Sequence, residues 1–377
     1  WYLRSSLADE DGESELIEPP EERDGDSGVP PVEDIIAPPD DADSQERPTL
    51  PPTTGQPQVL RPEAGVWAAN LGAALSLFDL TLHERSGDAD LGERDHTDGD
   101  HQAASWVRGW QRNTRSTLDN QLHNQSRQHV LQVGTELVRW GQDARSGAGV
   151  MLATAHSQQQ VRSSRSGIGA QGLVRGRSVG AYATWRADAA ASDGLYVDGW
   201  VQAAQLRSRV QGDALPAEQT RSRGLFAAIE SGRSVTVHAR GAHAVFLQPQ
   251  VQMLYGQLRP AQASHVEDNG TVVRLRTERQ LRSRIGLRLH GRTALEHGAI
   301  VQPFLAYDWT RRHGSAASVW MDDVQVTGSQ PRDVQRLRAG IQVQVTPQLA
   351  GWGELQLEHG SGGQRGQAAL IGVRYSW

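Results

Sequence analysis

The chain has 377 residues, of which 37% are hydrophobic and 22% charged, and it has no cysteine. That excludes disulfide scaffolds, Cys-ligated zinc and Cys nucleophiles, and no apolar run reaches the ~18 residues of a transmembrane helix. The net charge of −6 conceals a division: residues 1–47 hold 16 acidic and 3 basic residues, a net −13, which leaves +7 for the rest.

The chain opens on Trp1 with no Met and no apolar signal stretch, so a targeting segment is expected upstream. Residues 1–5, Trp-Tyr-Leu-Arg-Ser, read as the severed end of a strand from a preceding domain. Residues 6–60 read as an acidic, proline-rich linker. Eleven of the 17 prolines lie at or before Pro62. A segment so acidic and so poor in aromatics cannot bury enough surface to offset its ordering entropy, and its own repulsion extends it. An acidic binding tail is the other reading of this stretch.

Residues 62–85, within a unit spanning 61–87, predict a helix. Pro62 suits the first turn, Glu63 favours the positive end of the dipole, and Gly87 suits a stop. Leu71, Leu75, Phe78 and Leu82 recur at helical spacing. Ala64, Gly65, Ala68, Ala69, Gly72, Ala73 and Ala74 make the helix slim, which suits tight surroundings. Asn70 is its only asparagine. A polar loop to residue 102 follows. His96, His101, His123 and His129 match no metal-ligand spacing, so neither metal nor cofactor is expected.

From Ala104 onward a period of two dominates. Twelve strands are predicted, at about 104–113, 127–140, 147–160, 174–187, 193–208, 220–231, 243–257, 280–293, 298–313, 334–346, 349–359 and 367–377. Their length exceeds the ~5–6 residues usual in globular sheets and fits strands crossing a bilayer at a tilt. Connections are expected to alternate short and long, as in residues 188–193 against 211–220. In the tenth strand Leu337, Ala339, Ile341, Val343 and Val345 share one face, opposite Arg336, Arg338, Gly340, Gln342 and Gln344. A soluble sandwich also alternates. Its polar face, however, meets bulk water, where long charged side chains of both signs are usual and glycine is scarce. Here that face mixes Gly, Gln and Arg, and the apolar face is almost free of charge. A charge facing lipid costs ~2–4 kcal/mol at mid-bilayer, which purges charge from that face alone.

An even strand count closes an antiparallel sheet without a free edge. The predicted fold is all-β: a 12-stranded antiparallel transmembrane β-barrel over residues 88–377 with the N-terminal α-helix inside the lumen. Twelve strands leave room for one slim helix. Its residues Glu63, Gly65, Asn70, Leu71, Leu75, Phe78 and Leu82 then face a lumen that receives Arg108, Glu136, Asp198, Glu230, Arg284, Arg288, Asp308, Arg336, Arg338, Glu354 and Arg374, with Arg282 and Glu358. Acids and arginines confined there are expected to pair. Trp106, Trp110, Trp140, Trp185, Trp309 and Trp320 fall near strand ends or loops and read as interfacial anchors. Arginines over 274–288 read as lumen residues or as loop groups meeting lipopolysaccharide phosphates, rather than as a nucleic-acid site.

Several short motifs in this order resemble the translocator domain of bacterial autotransporters, the classical monomeric pertactin-like group of type V secretion. Trp1-Tyr2-Leu3-Arg4-Ser5 resembles the end of a passenger β-helix. Arg61-Pro62-Glu63-Ala64-Gly65 with Ala68-Ala69-Asn70 resembles the start of the pore helix, and Leu82-His83-Glu84-Arg85 its close. Gly194-Leu195-Tyr196-Val197-Asp198-Gly199-Trp200, Gln248-Pro249-Gln250 and Gln302-Pro303-Phe304 are similar to barrel motifs. Gly372, Tyr375 and Trp377 resemble the terminal assembly signal, while Leu370 departs from its polar position.

The resemblance implies an outer-membrane translocator that exports its own N-terminal passenger to the cell surface, with its helix left in the pore. It implies as partners outer-membrane lipid and lipopolysaccharide, the barrel assembly machinery, periplasmic chaperones and the passenger, with a single chain per barrel and no nucleic acid. No catalytic residue is assigned. Some members cut the chain inside the barrel with lumen acids acting on an Asn or a water, but the Asn-Asn pair of such sites is absent. An outer-membrane protease or lipase barrel and a plugged porin are the other readings.

Overall fold

The structure is a computed structural model that describes residues 59–87, 103–118, 120–140, 146–187, 194–295 and 298–377. Residues 1–5, nearly all of the 6–60 linker, and His96 and His101 lie outside the described residues.

The lumen segment is not one helix. It forms α1 (Pro62–Ala74), a tight turn, an extended stretch, and a short α2 (Leu82–Ser86). Pro62 sits in the first turn with Glu63 as its acidic residue, as the capping rules require. Thr81 begins α2 with a capping box: its hydroxyl accepts from the Glu84 amide, and the Glu84 carboxylate accepts from the Thr81 amide. The expected helix over 61–87 is therefore corrected to two helices with a break between them.

Strands occupy most of the remaining chain: β1 (Ala104–Leu118), β2 (Leu122–Trp140), β3 (Ser146–Ser163), β4 (Gly169–Arg186), β5 (Leu195–Gly212), β6 (Ala217–Arg233), β7 (Val235–Arg240), β8 (His243–Pro260), β9 (Ser264–Val266), β10 (Val272–Leu275), β11 (Glu278–Ala294), β12 (Ile300–His313), β13 (Ser318–Met321), β14 (Val324–Thr327), β15 (Asp333–Gln344), β16 (Leu349–Gly360) and β17 (Arg365–Ser376). Twelve of them (β1 to β6, β8, β11, β12, β15, β16 and β17) form an antiparallel ring, closed where β1 pairs β17 from Ala104↔Ser376 to Arg115↔Arg365. The lower rim carries Ala104 and Trp377. The upper rim carries the turns after Leu118, Ser163 and Gly212. The connection expected to be long there runs only from Gly212 to Ala217. The long upper connections are those after Pro260 and His313. They hold β9, β10, β13 and β14, which pair into a separate four-stranded sheet that the sequence pattern missed.

Alternation sorts the side chains as expected. Leu355 and Ile371 are 69% and 68% exposed on the outer face, while Glu354 and Leu370 are buried inside. No described helix is long and apolar enough to cross a membrane, so any crossing is made by strands. Two tryptophans overturn the anchor reading. Trp106 is buried in the lumen, where its indole N–H donates to the Tyr182 hydroxyl at 3.1 Å. Trp110 packs against the same core. Both share the inward face with Arg108, and period two puts them there. Trp140 and Trp185 stand exposed on the outer face near the lower rim.

Candidate functional site: the occupied lumen

α1 runs down one wall of the barrel against β3, β4 and β5. Every residue of it is buried. Its small side chains allow this approach: a Cβ on Gly65 would lie 2.8 Å from Leu122 Cδ1, and one on Gly72 would lie 2.8 Å from Gln330 Cγ. At the upper rim the Leu60 amide donates to Gln121 Oε1, and Glu63 packs over Gly212. Asn70 is buried; its Nδ2 donates to the Arg209 carbonyl at 3.1 Å. Among the described residues no carboxylate hydrogen-bonds to it. The small sheet meets α1 through β13 and β14, and the Trp67 indole N–H donates to Glu267 at 3.0 Å. Leu71, Leu75, Phe78 and Leu82 are all buried in the core.

The break below α1 is held by the barrel. Leaving a helix strips carbonyls of their partners, and buried carbonyls need others. Gln202 donates to the Phe78 carbonyl at 2.9 Å. Trp200 and Gln252 donate to the Leu80 carbonyl at 3.1 and 2.9 Å. Arg108 donates to the Asp79 carbonyl at 3.0 Å, and Arg282 pairs with the Asp79 carboxylate. These donors come from β1, β5, β8 and β11, far away in sequence. That is why helical spacing in the segment alone did not reveal the break.

α2 carries the charges that anchor the lower half. The Arg85 guanidinium binds both Asp198 oxygens, at 2.6 and 3.1 Å, and the Thr184 hydroxyl at 2.8 Å, and lies 4.0 Å from the Tyr182 ring centre. Glu84 faces Arg108 at 3.4 Å. From there a ladder of charges climbs around the wall. Tyr196 donates to Glu230; Glu230 meets Arg284 at 3.0 Å; Arg284 meets Asp308 at 3.3 Å; Asp308 meets Arg338 at 2.7 Å; Arg338 meets Glu354 at 3.8 Å. Arg336 pairs with Glu358 at 2.8 Å, with Arg112 beside it.

The expected lumen set divides accordingly. Arg108, Asp198, Glu230, Arg284, Asp308, Arg336, Arg338 and Glu354 come together. Arg288 is buried and stacks 4.0 Å from the Phe304 ring centre. Glu136 stands apart: a bulge between Glu136 and Val138 turns it toward Arg139, at 2.6 Å. Arg374 is half-buried near the lower rim, across from Trp106 and Ala350. Sequence reasoning missed Asp79, Glu84 and Arg85 as partners of the wall. The signal was available, since they are charges in an otherwise small and apolar segment. Among the described residues no group of three His, Asp or Glu is arranged to hold a metal.

A polypeptide threaded through a closed barrel from rim to rim, and bonded to the wall along its length, is the arrangement of a translocator. A model of the autotransporter beta-domain family matches residues 105–356. The chain belongs to that family. Among curated relatives, the autotransporter beta-domain here is 30% identical over 360 residues to the uncharacterized protein YdeU of Escherichia coli K12, covering 91% of this chain and 75% of that one. It is 25% identical over 336 residues to the adhesin AIDA-I of Escherichia coli, covering 86% of this chain but 26% of the adhesin. The chain thus spans about a quarter of that relative's length. Among solved structures, the transport unit of AIDA-I superposes with a TM-score of 0.72 at 25% identity, over 84% of this chain and 99% of that one. The beta domain of the Bordetella autotransporter BrkA shares the fold, with a TM-score of 0.56 at 20% identity, over 73% of this chain and all of that one. The autotransporter beta-domain is an outer-membrane barrel, and its function is that of a translocator.

Proposed function

We propose that this domain exports the polypeptide preceding it through the lumen now filled by residues 60–87, and that the segment remains there as a plug. One observation carries the reading. The segment descends from Leu60 at the upper rim to Gly87 beside Gln342, toward the lower rim, where β1 begins. That polarity suits export of the upstream sequence past the upper rim. The upper rim then faces the outside, and the passenger stands at the cell surface. The action is mechanical rather than catalytic, and the lumen charges act as structural partners of the plug. Folding of the passenger outside supplies direction, because a folded domain cannot slide back.

The remaining partners follow from the same reading. Tyr375 and Trp377 project outward from the last strand, with Gly372 tight against Trp352. This suits recognition of that strand by the barrel assembly machinery after periplasmic chaperones deliver the chain. Twelve strands from one chain need no second copy to close. Surface display tests the proposal. A signal peptide and a tagged reporter are fused upstream of Trp1 and expressed in a Gram-negative host, and protease is added to intact cells. Loss of the tag with survival of the barrel is the expected outcome. A tag held in the periplasm by an inserted barrel would overturn it.

A further inference from the structure

The outer face of the barrel changes character along its axis. On β4 it reads Trp185, Ala183, Ala181 and Val179 from the lower rim upward, and then Arg177 and Arg175. The neighbouring strands repeat the switch: Arg207 on β5, Arg221 and Arg223 on β6, and Arg259 on β8. All six arginines are exposed. The apolar outer stretch beneath them, clearest on β5 from Leu195 to Ala203, is nine residues at about 3.3 Å each along a tilted strand, which approaches the ~25 Å apolar band of a membrane barrel. The arginines therefore begin where hydrocarbon ends and headgroups start.

Their register is the unusual part. Arg175 lies opposite Arg207, Arg207 opposite Arg221, and Arg223 opposite Arg259. Directly opposed side chains stand about 4.5–5.5 Å apart at Cβ, and like charges there repel. Inside the barrel, arginines such as Arg85, Arg108, Arg284 and Arg338 meet carboxylates. On this face of β4, β5, β6 and β8 no Asp or Glu occurs. None of the six arginines has a hydrogen bond or ion pair with another described residue. A row of unneutralised guanidinium groups at headgroup depth calls for an anion of matching multiplicity.

We propose that this belt is a docking surface for the phosphates of a multiply phosphorylated glycolipid of the outer leaflet. A guanidinium presents a planar fork that binds phosphate bidentately. Adjacent arginines one strand apart can bind neighbouring phosphates of one lipid head without a bridging divalent cation. The proposal rests on the outward orientation of the upper rim argued above. It assigns a lipid contact of stated chemistry to six named arginines on a face the export reading leaves unused.

The test uses the purified full chain in detergent. Bound lipid is counted by native mass spectrometry against bis-phosphorylated lipid A, phosphate-free lipid A and phosphatidylglycerol. The variant carries Arg175→Gln, Arg207→Gln and Arg221→Gln together, and its barrel is checked by heat-modifiable gel migration. A second variant, Arg165→Gln, removes an exposed arginine from an upper turn and serves as the control. Wild type is expected to retain bis-phosphorylated lipid A preferentially, and the triple variant to lose affinity at least about tenfold while the control does not. Equal retention of phosphate-free lipid A, equal competition by phosphatidylglycerol, or a folded triple variant with unchanged binding would each overturn the proposal. Orientation is read separately. The chain lacks cysteine, so Arg165→Cys gives one labelling site. An impermeant maleimide reaches it on intact cells if the upper rim faces outward. Failure to label there sinks the orientation, whatever the lipid result.

Discussion

Arg85 and Asp198 are 113 residues apart in sequence and form a two-bonded ion pair whose side chains are each 1% exposed. The pair joins the lumen segment to the barrel wall. Removing one partner leaves the other charge buried and unmatched, which costs about 3–5 kcal/mol. Asp198→Ala is therefore expected to lower the urea unfolding midpoint of the barrel in lipid vesicles by that equivalent. The double change Arg85→Leu with Asp198→Leu is expected to cost less than either single change. A fully additive double variant would show that the two groups do not act as a pair.

The plug can be dislodged from the wall side. A Cβ on Gly172 would lie 2.5 Å from Val66 Cγ1 and 2.6 Å from Asn70 Oδ1. Gly172→Val overpacks this contact at a cost of about 1–3 kcal/mol, and the yielding element is α1, which is less firmly tied than the sheet. Single-channel recording is expected to show more frequent openings in this variant. Deletion of residues 62–85 is expected to raise conductance outright. Unchanged traces in both would mean that the segment does not block the pore.

Glu267 couples the small upper sheet to pH. Burial pushes its carboxyl up from the ordinary value, against the opposing pull of the Trp67 N–H. The folded value lies above the unfolded one. The contribution to stability is therefore full below the unfolded value and is lost as pH rises through the folded value. Amide exchange over Thr271–Leu275 is expected to quicken as pH rises across that window, beyond the intrinsic base catalysis of exchange. Glu267→Gln keeps an acceptor for Trp67 and is expected to remove the extra slope. An identical slope in the variant would assign the effect elsewhere.

Tyr375 and Trp377 stack on the outer face at 6.2 Å and are 51% and 55% exposed. Changing both to serine removes no lumen contact, so the finished barrel is expected to keep its unfolding midpoint. Assembly in cells is expected to slow, read as a longer-lived unfolded band in pulse-chase gels. Normal assembly of the double variant would leave the terminal aromatics without a recognition role.

Much of the barrel is readable from sequence because lipid imposes a severe rule on every second residue. The rule also explains where the reading stopped short. The first strand was expected to end at residue 113 and runs to Leu118. The fifth was expected to end at 208 and runs to Gly212. Both extensions lie toward the upper rim, where Arg207, Arg209 and their neighbours replace aliphatic residues on the outer face. The strand continues there while its hydropathy alternation fades. The lumen charges were legible for the same reason as the strands, since facing is fixed by parity. The break at Asp79–Leu80 was not, because the groups that satisfy it sit on four strands up to 203 residues away. The sheet of β9, β10, β13 and β14 was missed because strands of three or four residues carry too few alternations to read.

The seam between β1 and β17 also sets an order of events in time. Twelve register pairs join β1 to residues of β17. Until those residues have left the ribosome, β1 has no partner on that side, and the unfinished sheet exposes an open edge. Such an edge cannot lie in hydrocarbon. β17 must therefore be made before the ring can close in the membrane, and a product cut short before β17 keeps an edge that hydrocarbon rejects.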